Sequence, residues 1–313
     1  MVDSYGRKIE YLRLSVTERC NLSCLYCRGR REDTGDVRRE MPDAERILAV
    51  SAAASLGVTK VRITGGEPLL HEGLFSLCHA VSKIPGIRDL SLTTNGVLLD
   101  TCAGELVRNG VGRINISLDT LKEERYAKIT RTGNIADVRR GIDAALSAGF
   151  SKVKLNVVLI RGFNEDEIAD FAELTVKDPL DVRFIELMPG AGNVLSDAGA
   201  FLSVQAVPDA LPGLRLVKTD GVAEVYSLPG AAGSIGLIHP VTAPFCDRCN
   251  RLRLTADGSI RPCLHDAYEV PLSGLSEDQM KEAILQSCER KPQWHGGLCG
   301  TGLPGRYMNE IGG

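Results

Sequence analysis

Three cysteines near the amino terminus have the spacing of a metal-cluster site. Cys20, Cys24 and Cys27 form the pattern Cys-x3-Cys-x2-Cys directly after the first predicted strand. Three thiolates on one short loop can hold three corners of a cubane iron–sulfur cluster and leave the fourth iron without a protein ligand. Such an open corner can react, as in catalytic metal sites that keep one position open. A structural zinc ion is the alternative, with its fourth ligand arriving from elsewhere in the chain.

A second set of three cysteines lies near the carboxyl terminus. Cys246, Cys249 and Cys263 form Cys-x2-Cys-x13-Cys. Between them Arg251 and Arg253 alternate along a predicted strand and therefore share one face. The spacing alone leaves both a zinc knuckle and a second iron–sulfur cluster open. Two arginines beside a metal site that lacks one ligand indicate that an anionic or carbonyl-bearing substrate supplies the fourth position.

The composition restricts the class of protein. A chain of 313 residues suffices for about two domains, whose cores need no disulfide or metal. With 37 Lys+Arg, 40 Asp+Glu and 43% hydrophobic residues, it resembles an ordinary globular protein, and no basic excess indicates a nucleic-acid partner. The longest nearly apolar stretch, residues 47–58, is too short to span a membrane, and residues 1–8 lack an apolar signal core. We expect a cytoplasmic protein, in which metal ligation explains the spacing of the ten cysteines better than disulfide bonds do.

Strand-length and helix-length segments alternate from residue 10 to about 190, which predicts parallel βα units. The six candidate strands are Tyr11–Val16, Lys60–Thr64, Asp89–Thr94, Arg113–Leu118, Lys152–Ile160 and Val182–Leu187. Helices are expected between them, for example over Asp43–Leu56, with Asp43 near the start, and over Asn164–Val176, with Asn164 as its N-cap.

Polar residues recur at every second position in four of these strands, whereas buried parallel strands are normally continuous apolar runs. The four polar sets are Lys60, Arg62 and Thr64; Ser91, Thr93 and Asn95; Arg113, Asn115, Ser117 and Asp119; and Lys152, Lys154 and Asn156. One face of the sheet therefore contacts water or a polar ligand. An open (β/α) barrel with a site in its lumen fits this pattern, and a partly solvated sheet is the alternative.

The regular alternation stops after Pro189. Residues 190–235 are rich in Gly, Ala, Pro and Ser, which predicts a linker or an irregular cover. A cysteine-bearing region follows. We therefore predict two domains, residues 1–190 and 191–313.

The first cysteine motif resembles that of the radical S-adenosylmethionine (SAM) superfamily. The resemblance includes the segment Gly65-Gly66-Glu67-Pro68, which alone is more typical of a tight turn, and covers about residues 10–190. It implies an open (β/α)6 partial TIM barrel and a 4Fe-4S cluster whose open iron is chelated by SAM. The cluster donates an electron and cleaves SAM to a 5′-deoxyadenosyl radical. Glycine at 65 and 66 fits this role because it allows the backbone to approach the methionine end of SAM closely.

Nearly the whole chain resembles one family, the GTP 3′,8-cyclases of molybdenum cofactor biosynthesis. The supporting segments are residues 12–17, residues 183–189, the block from Cys246 to Cys263, and the closing Gly312-Gly313. The resemblance implies two 4Fe-4S clusters, one held by Cys20, Cys24 and Cys27, the other by Cys246, Cys249 and Cys263 in a C-terminal region covering the barrel mouth. The first cluster binds SAM and the second binds the guanine of GTP.

The resemblance also assigns roles to individual residues. Those that fall where the family contacts SAM are Tyr26, Gly66, Ser117 and Met188. Those that fall where it contacts GTP are Arg13, Arg62, Thr93, Lys154, Arg251, Leu252 and Arg253, with Lys60 and Arg183 as further phosphate contacts. Arg13, Arg251, Arg253, Gly312 and Gly313 are the residues implied to assist catalysis. Without the resemblance, the two terminal glycines are more typical of a frayed chain end.

The implied reaction is cyclisation of GTP. The deoxyadenosyl radical removes hydrogen from ribose carbon 3′, and this carbon attacks guanine carbon 8, giving 3′,8-cyclo-7,8-dihydro-GTP. The implied partners are a flavodoxin-type electron donor and the next enzyme, cyclic pyranopterin monophosphate synthase; a homodimer is left open. Two alternatives remain, a radical SAM peptide-modifying maturase and a metal-binding scaffold without turnover. The sequence departs from the family at Arg28-Gly29, where Met-Pro is more usual, and Cys288 and Cys299 match no motif.

Overall fold

Six parallel strands form the centre of a single sheet. The computed structural model describes residues 1–27, 39–189, 193, 195, 199–295 and 306–312. The six strands, β1 to β6 in chain order, are Tyr11–Ser15, Lys60–Thr64, Asp89–Thr94, Arg113–Ser117, Lys152–Leu159 and Leu180–Glu186. Each pairs in parallel with the next, in the order of the chain. The prediction of six parallel βα units is confirmed, with strand ends displaced by at most two residues.

Helices connect these strands and cover one side of the sheet. In chain order, α1 to α6 are Asp43–Ser55, Leu74–Ser82, Leu99–Arg108, Glu123–Thr130, Ile135–Ser147 and Ile168–Lys177. The apolar strand positions, such as Leu12, Leu14, Val61 and Ile63, belong to the same buried core as the apolar helix residues. Since side chains alternate across a strand, the polar positions between them lie on the opposite face.

The helix at Asp43 begins as predicted, but the role predicted for Asn164 is wrong. Asn164 precedes a 3₁₀ turn, Glu165–Glu167, and its side chain caps no helix. Instead its amide donates to the carbonyls of Asp119 (2.7 Å) and Val158 (2.8 Å), and its oxygen accepts from the N–H of Ile160 (2.9 Å). The side chain is 1% exposed, so these bonds satisfy it completely within the loops that follow β4 and β5.

Residues after 190 extend the sheet at both edges. Beyond β6 the next strands in space are β9 (Ile235–Ile238), β8 (Ala223–Ser227) and β7 (Arg215–Asp220); beyond β1 they are β10 (Arg251–Leu254), β11 (Ser259–Arg261) and β12 (Val270–Pro271). The remaining helices are α7 (Ala206–Ala210), α8 (Glu277–Glu289) and α9 (Met308–Ile311). The interpretation of 190–235 as a linker or irregular cover is therefore wrong. Of the added strands, β9 runs parallel to β6 and β10 runs parallel to β1, giving eight parallel strands at the centre.

The C-terminal region continues the sheet at both edges, and its placement over the barrel mouth stays a prediction. It flanks the open edges of the barrel sheet, with β10 paired to β1 and β9 paired to β6, because edge strands leave backbone groups that a further strand can satisfy. Its boundary with the first region remains a prediction, since one sheet runs through both. Within the described part of the chain, no helix is long and apolar enough to cross a membrane.

Candidate active site

The cations of the polar face lie at one level of the sheet. Following the strand pairing from β10 to β5, the residues opposite one another are Arg253, Arg13, Arg62, Ser91, Arg113 and Lys152. The next level toward the carboxyl ends carries Thr93, Asn115, Lys154 and Asp181. Parallel register therefore converts the alternation seen in sequence into a continuous polar surface across the strands.

Three cations of this surface are buried, whereas Arg113 and Lys152 are partly exposed. Arg13 is 9% exposed, Arg253 is 6% exposed and Lys154 is 7% exposed. Burial, with repulsion from Arg253, holds the pKa of Arg13 well below its usual range. Burial, with repulsion from neighbouring cations, also lowers the pKa of Arg253 to about 10 and that of Arg183 to about 10. Such a concentration of buried positive charge is costly unless an anion joins it, so the lumen is suited to an anionic ligand.

Tyr11 organises two of these arginines, and the sequence analysis missed it. The guanidinium carbon of Arg62 lies 5.5 Å from the centre of the Tyr11 ring, and that of Arg251 lies 5.7 Å from it. Arg251 also lies 5.5 Å from the ring of Phe245. These cation–π contacts orient the guanidinium groups without neutralising them. The signal was present in the sequence, because Tyr11 and Arg13 are two residues apart on β1 and so share a face.

Several buried polar atoms of the lumen lack a partner among the described residues. They are Thr93 Oγ1, Asn115 Oδ1, Asn156 Oδ1 and Arg251 Nε. Buried polar groups in native proteins are nearly always hydrogen-bonded, so these atoms fit a site completed by a polar ligand. Of the four, Thr93 and Arg251 were predicted site residues, whereas Asn115 and Asn156 were noted only as members of the polar face.

The first cysteine loop begins beyond the carboxyl end of β1. Its backbone is fixed to α4 by two hydrogen bonds, from Ser23 N to Thr130 O (3.1 Å) and from Leu25 N to Ile129 O (3.0 Å). The Asn95 amide donates to Asn21 Oδ1 (2.7 Å) and lies 3.9 Å from Cys20 Sγ. Burial raises the pKa of Cys24, and the nearby sulfurs of Cys27 and Cys20 raise it further. The loop thus gathers three thiols in an environment where positively charged iron would stabilise their thiolate forms.

The two glycines after β2 fit against the protein itself. A Cβ on Gly65 would lie 2.5 Å from Thr17 O, and one on Gly66 would overlap the Arg19 carbonyl oxygen. The Gly66 N–H donates to Thr17 O at 2.7 Å. The described contacts that require glycine here are therefore with the chain segment leading to Cys20, whereas the sequence analysis ascribed them to SAM. Any side chain at 66 would displace that segment and the cysteine loop with it.

Glu67 joins the ends of β2 and β3. It is fully buried and accepts hydrogen bonds from Leu69 N (3.0 Å), Thr94 Oγ1 (2.7 Å) and Asn95 N (2.7 Å). Burial raises its pKa to about 7, against the lowering effect of these donors. The carboxyl group therefore places Asn95, which contacts the cysteine loop.

Replacing Glu67 by glutamine is expected to destabilise the fold by about 1–3 kcal/mol, because the amide nitrogen of glutamine must face one of three donors. Denaturant unfolding measures this. The matched variant Glu72→Gln changes an exposed carboxylate and is expected to stay within about 0.5 kcal/mol of wild type. Equal stability of E67Q and wild type would contradict the role assigned to the carboxyl group.

The residues predicted to contact SAM lie around the carboxyl ends of the strands. Ser117 is the last residue of β4, and Met188 follows β6. The Tyr26 hydroxyl donates to Asp119 Oδ2 at 2.7 Å, and burial raises the pKa of Asp119 to about 6. Asp119 follows Ser117 by two residues, so it connects the cysteine loop to β4. The sequence analysis placed Asp119 on the polar face but gave it no role.

The second cysteine set lies at the opposite end of the lumen. Cys249 precedes β10, which runs parallel to β1, and Cys263 follows β11, which returns antiparallel beside it. The set therefore lies near the amino end of β1, whereas the first set follows its carboxyl end. The five residues of β1 alone separate these ends by roughly 16 Å at about 3.3 Å per residue.

Two buried cations hold this second set in place. Lys291 is 3% exposed, and its ammonium donates to Arg251 O (2.8 Å) and Pro262 O (2.6 Å). Burial opposes ionisation of Cys249, but Lys291 and Arg251 outweigh it and lower the pKa of this thiol. Arg7 donates to Cys246 O at 2.6 Å. The surroundings of Cys249 therefore favour the thiolate form that metal ligation requires, whereas burial raises the pKa of Cys246.

Among the described residues, no three His, Cys, Asp or Glu side chains converge closely enough to hold a single metal ion. In an iron–sulfur cluster each thiolate binds a different iron, so the ligands need not meet at one point. Three partly buried thiols at each end of a polar lumen, on one loop in the first set and on both sides of the β10–β11 strand pair in the second, fit that donor set.

The other predicted site residues fall in three places. Leu252 is buried, with Arg251 and Arg253 on either side along β10. Lys60 begins β2 and is exposed, one level closer to the amino end than Arg62. Gly312 lies against Ser15 and Thr64, while Gly313, Cys299 and Arg28-Gly29 lie outside the described residues. Cys78 and Cys288 are buried thiols.

Comparisons with known proteins agree with this arrangement. The family model of the radical SAM superfamily matches residues 14–175, and the model named Molybdenum Cofactor Synthesis C matches residues 180–296. The GTP 3′,8-cyclase of Pelotomaculum thermopropionicum is 46% identical over 326 residues, covering 100% of both chains. That of Peptoclostridium acidaminophilum is 43% identical over 320 residues, covering 100% of this chain and 98% of the relative.

Solved structures show the same fold at low sequence identity. Streptococcus suis SuiB bound to precursor peptide SuiA matches with a TM-score of 0.69 at 14% identity, over 93% of this chain and 67% of that one. This likeness concerns the fold alone. On the family models and the full-length relatives together, this chain is a member of the radical SAM superfamily and belongs, within it, to the GTP 3′,8-cyclase family.

Proposed function

We propose that this chain converts GTP to 3′,8-cyclo-7,8-dihydro-GTP, the first step of molybdenum cofactor biosynthesis. The observation that carries this proposal is the buried level of cations between two cysteine sets at opposite ends of one lumen. A triphosphate carries about four negative charges and needs clustered cations. A scaffold without turnover has no use for buried charge of this kind.

Cys20, Cys24 and Cys27 would hold one 4Fe-4S cluster, and Tyr26, Gly66, Ser117 and Met188 would bind SAM beside it. Cys246, Cys249 and Cys263 would hold the second cluster, toward which the guanine points. When bound, the first cluster and SAM supply a carbon radical by one-electron cleavage of SAM. The protein's part is to place ribose carbon 3′ near that end of the lumen.

The cations would bind and orient the nucleotide. Arg13 and Arg62 lie on the adjacent strands β1 and β2, Lys154 and Arg183 lie on the adjacent strands β5 and β6, and all four would hold the phosphates, with Lys60 nearer the amino ends. Thr93 offers a hydroxyl that has no partner among the described residues. Arg251 and Arg253 flank Leu252 beside the second cysteine set. Fixing ribose carbon 3′ and guanine carbon 8 together in a buried lumen lowers the entropic part of the barrier and excludes water from the reactive carbon.

The proposal extends to partners and organisation. We assign electron delivery to a flavodoxin-type reductant and consumption of the product to cyclic pyranopterin monophosphate synthase, in a cytoplasmic protein; a homodimer is a hypothesis that the sequence leaves open. Residues 1–190 would form the SAM-binding domain and residues 191–313 the second-cluster domain. Chemical crosslinking and sedimentation of the reconstituted protein test the dimer directly.

Anaerobic equilibrium dialysis of the reconstituted protein tests the substrate. We expect GTP to bind more tightly than ATP, because the base faces the second cluster, and more tightly than GMP, because phosphates meet the cations. Equal affinity for ATP and GTP would contradict guanine recognition.

GTP affinity is expected to fall as pH rises through about 8. Burial lowers the pKa of Lys154 to about 8, with repulsion from Arg183, although Asp181 at 3.4 Å opposes this. The ammonium is therefore charged at pH 7 and largely neutral at pH 9, where an attraction to phosphate is lost. We expect about tenfold weaker binding at pH 9 than at pH 7. The decline should flatten in Lys154→Gln and persist in Lys128→Gln, which changes an exposed lysine; an unchanged profile in K154Q would contradict the assignment.

A further inference from the structure

Residues 306–312, close to the carboxyl terminus, contact both the chain segment that leads to the first cysteine set and the strands beside the second. Resting on the proposed function, we propose that Arg306 is a positioning residue that docks this C-terminal segment beside the GTP site, by a clamp of three carboxylates. Arg306 itself contacts no predicted ligand residue, and its effect on cyclisation is transmitted through the segment that follows it.

The clamp brings together distant parts of the chain. One Arg306 nitrogen donates to Asp257 Oδ2 and to Glu269 Oε1, both at 2.8 Å, and another lies 3.9 Å from Glu18 Oε1. Asp257 lies in the turn between β10 and β11, Glu269 immediately precedes β12, and Glu18 is two residues before Cys20. Arg306 is 6% exposed, so these are buried, charge-assisted contacts.

The segment after Arg306 continues toward the lumen. The Asn309 amide donates to Glu18 O at 3.1 Å, and the Arg253 guanidinium donates to Gly312 O at 2.5 Å. Gly312 has φ of +68°, and a Cβ there would lie 2.7 Å from Thr64 Cγ2. The segment therefore fits closely against the carboxyl ends of β1 and β2, in contact with an arginine of the candidate GTP site.

The clamp depends on the planar guanidinium group of Arg306. A guanidinium presents several N–H groups at fixed angles, so it can bridge Asp257 and Glu269 while facing Glu18. Without it, Glu269 keeps a contact with Arg261 (3.2 Å), but the buried Glu18 and the partly exposed Asp257 and Glu269 leave a concentration of negative charge beside the docked segment. The docked state then becomes less favourable than a state in which water reaches these carboxylates.

The test uses the reconstituted full-length protein with SAM, GTP and dithionite. Arg306→Ala is compared with Arg306→Lys and with Arg88→Ala, which changes an exposed arginine. Two quantities are measured: cyclised nucleotide formed per 5′-deoxyadenosine, and amide hydrogen exchange of residues 307–312. We expect R306A to lower the product ratio at least about thirtyfold and to abolish protection of the segment. R306K should restore part of both, and R88A should match wild type.

A truncation separates positioning from a general structural role. In a chain lacking residues 307–313, R306A should cause no further loss, because the clamp then has nothing to dock. Further loss in that background, an unchanged product ratio, or unchanged exchange in R306A would overturn the proposal. Amide hydrogen exchange of strands β2 to β4 monitors folding. If R306A loses protection in these strands, R306K is judged by the same criteria. If wild type forms no cyclised nucleotide, the proposed function fails while exchange still decides whether Arg306 docks the segment.

Discussion

Arg253→Ala is expected to lower the formation of cyclised nucleotide by about 100- to 1000-fold, the usual cost of removing one preorganised donor from an active site. Formation of 5′-deoxyadenosine should change only a few-fold. Arg253 is 6% exposed, lies opposite Arg13 in the sheet, donates to Gly312 O and lies on β10, which follows Cys249 of the second cysteine set. Its loss therefore removes charge where the nucleotide binds and leaves the first cysteine loop intact.

Mass spectrometry of both products in one anaerobic reaction measures this separation. Arg215→Ala is the matched control, because it removes an arginine from the exposed strand β7. Arg251→Ala should resemble R253A, since both arginines lie on β10. Equal loss of both products in R253A would contradict the assignment of this residue to GTP.

Serine substitutions in the two cysteine sets are expected to give opposite defects. Cys24→Ser should abolish 5′-deoxyadenosine formation, because the first cluster loses a ligand. Cys249→Ser should retain deoxyadenosine formation and abolish the cyclised nucleotide, because only the second cluster is lost. In each variant, bound iron should fall from about eight to about four per chain.

Iron analysis and electron paramagnetic resonance of the reduced proteins check these outcomes independently of turnover. Cys102→Ser serves as a control, since Cys102 lies in α3 away from both sets. Retention of about eight irons in C249S would show that the second set does not hold a cluster. Loss of deoxyadenosine formation in C249S would show that the two sets do not act separately.

The barrel strands were predictable because the sequence encodes both of their faces. In β2, Val61 and Ile63 pack in the core while Arg62 faces the lumen, and the same alternation recurs in β3, β4 and β5. Parallel register then follows from chain order. What alternation does not encode is which strands pair at the edges, so β9 beside β6 and β10 beside β1 were not predicted.

Residues 190–235 were misinterpreted for a physical reason. Every residue of β7 is exposed, so this strand carries no buried face from which a pattern could be recognised. Strand β9, which lies on the other side of β8, is only four residues long. Both are strands because backbone groups at the open edge of the sheet need partners. Because the segment is rich in glycine and proline, its composition predicted irregular structure instead of these strands.

The site was predictable where residues act through type and spacing, and not where they act through distant contacts. The two cysteine sets and Arg253 were found from spacing. The clamp of Arg306 with Glu18, Asp257 and Glu269 joins residues far apart in sequence, and no local pattern marks it. The same holds for Glu67, whose carboxyl group contacts β3.

The central claim is that radical chemistry begun at one end of the lumen acts on ribose carbon 3′ of GTP. The most direct measurement uses GTP deuterated at carbon 3′ with the reconstituted protein, SAM and dithionite under anaerobic conditions. The account predicts 5′-deoxyadenosine that carries one deuterium, formed together with 3′,8-cyclo-7,8-dihydro-GTP. Unlabelled deoxyadenosine without a cyclised nucleotide would contradict it and would move the second cysteine set to a different substrate.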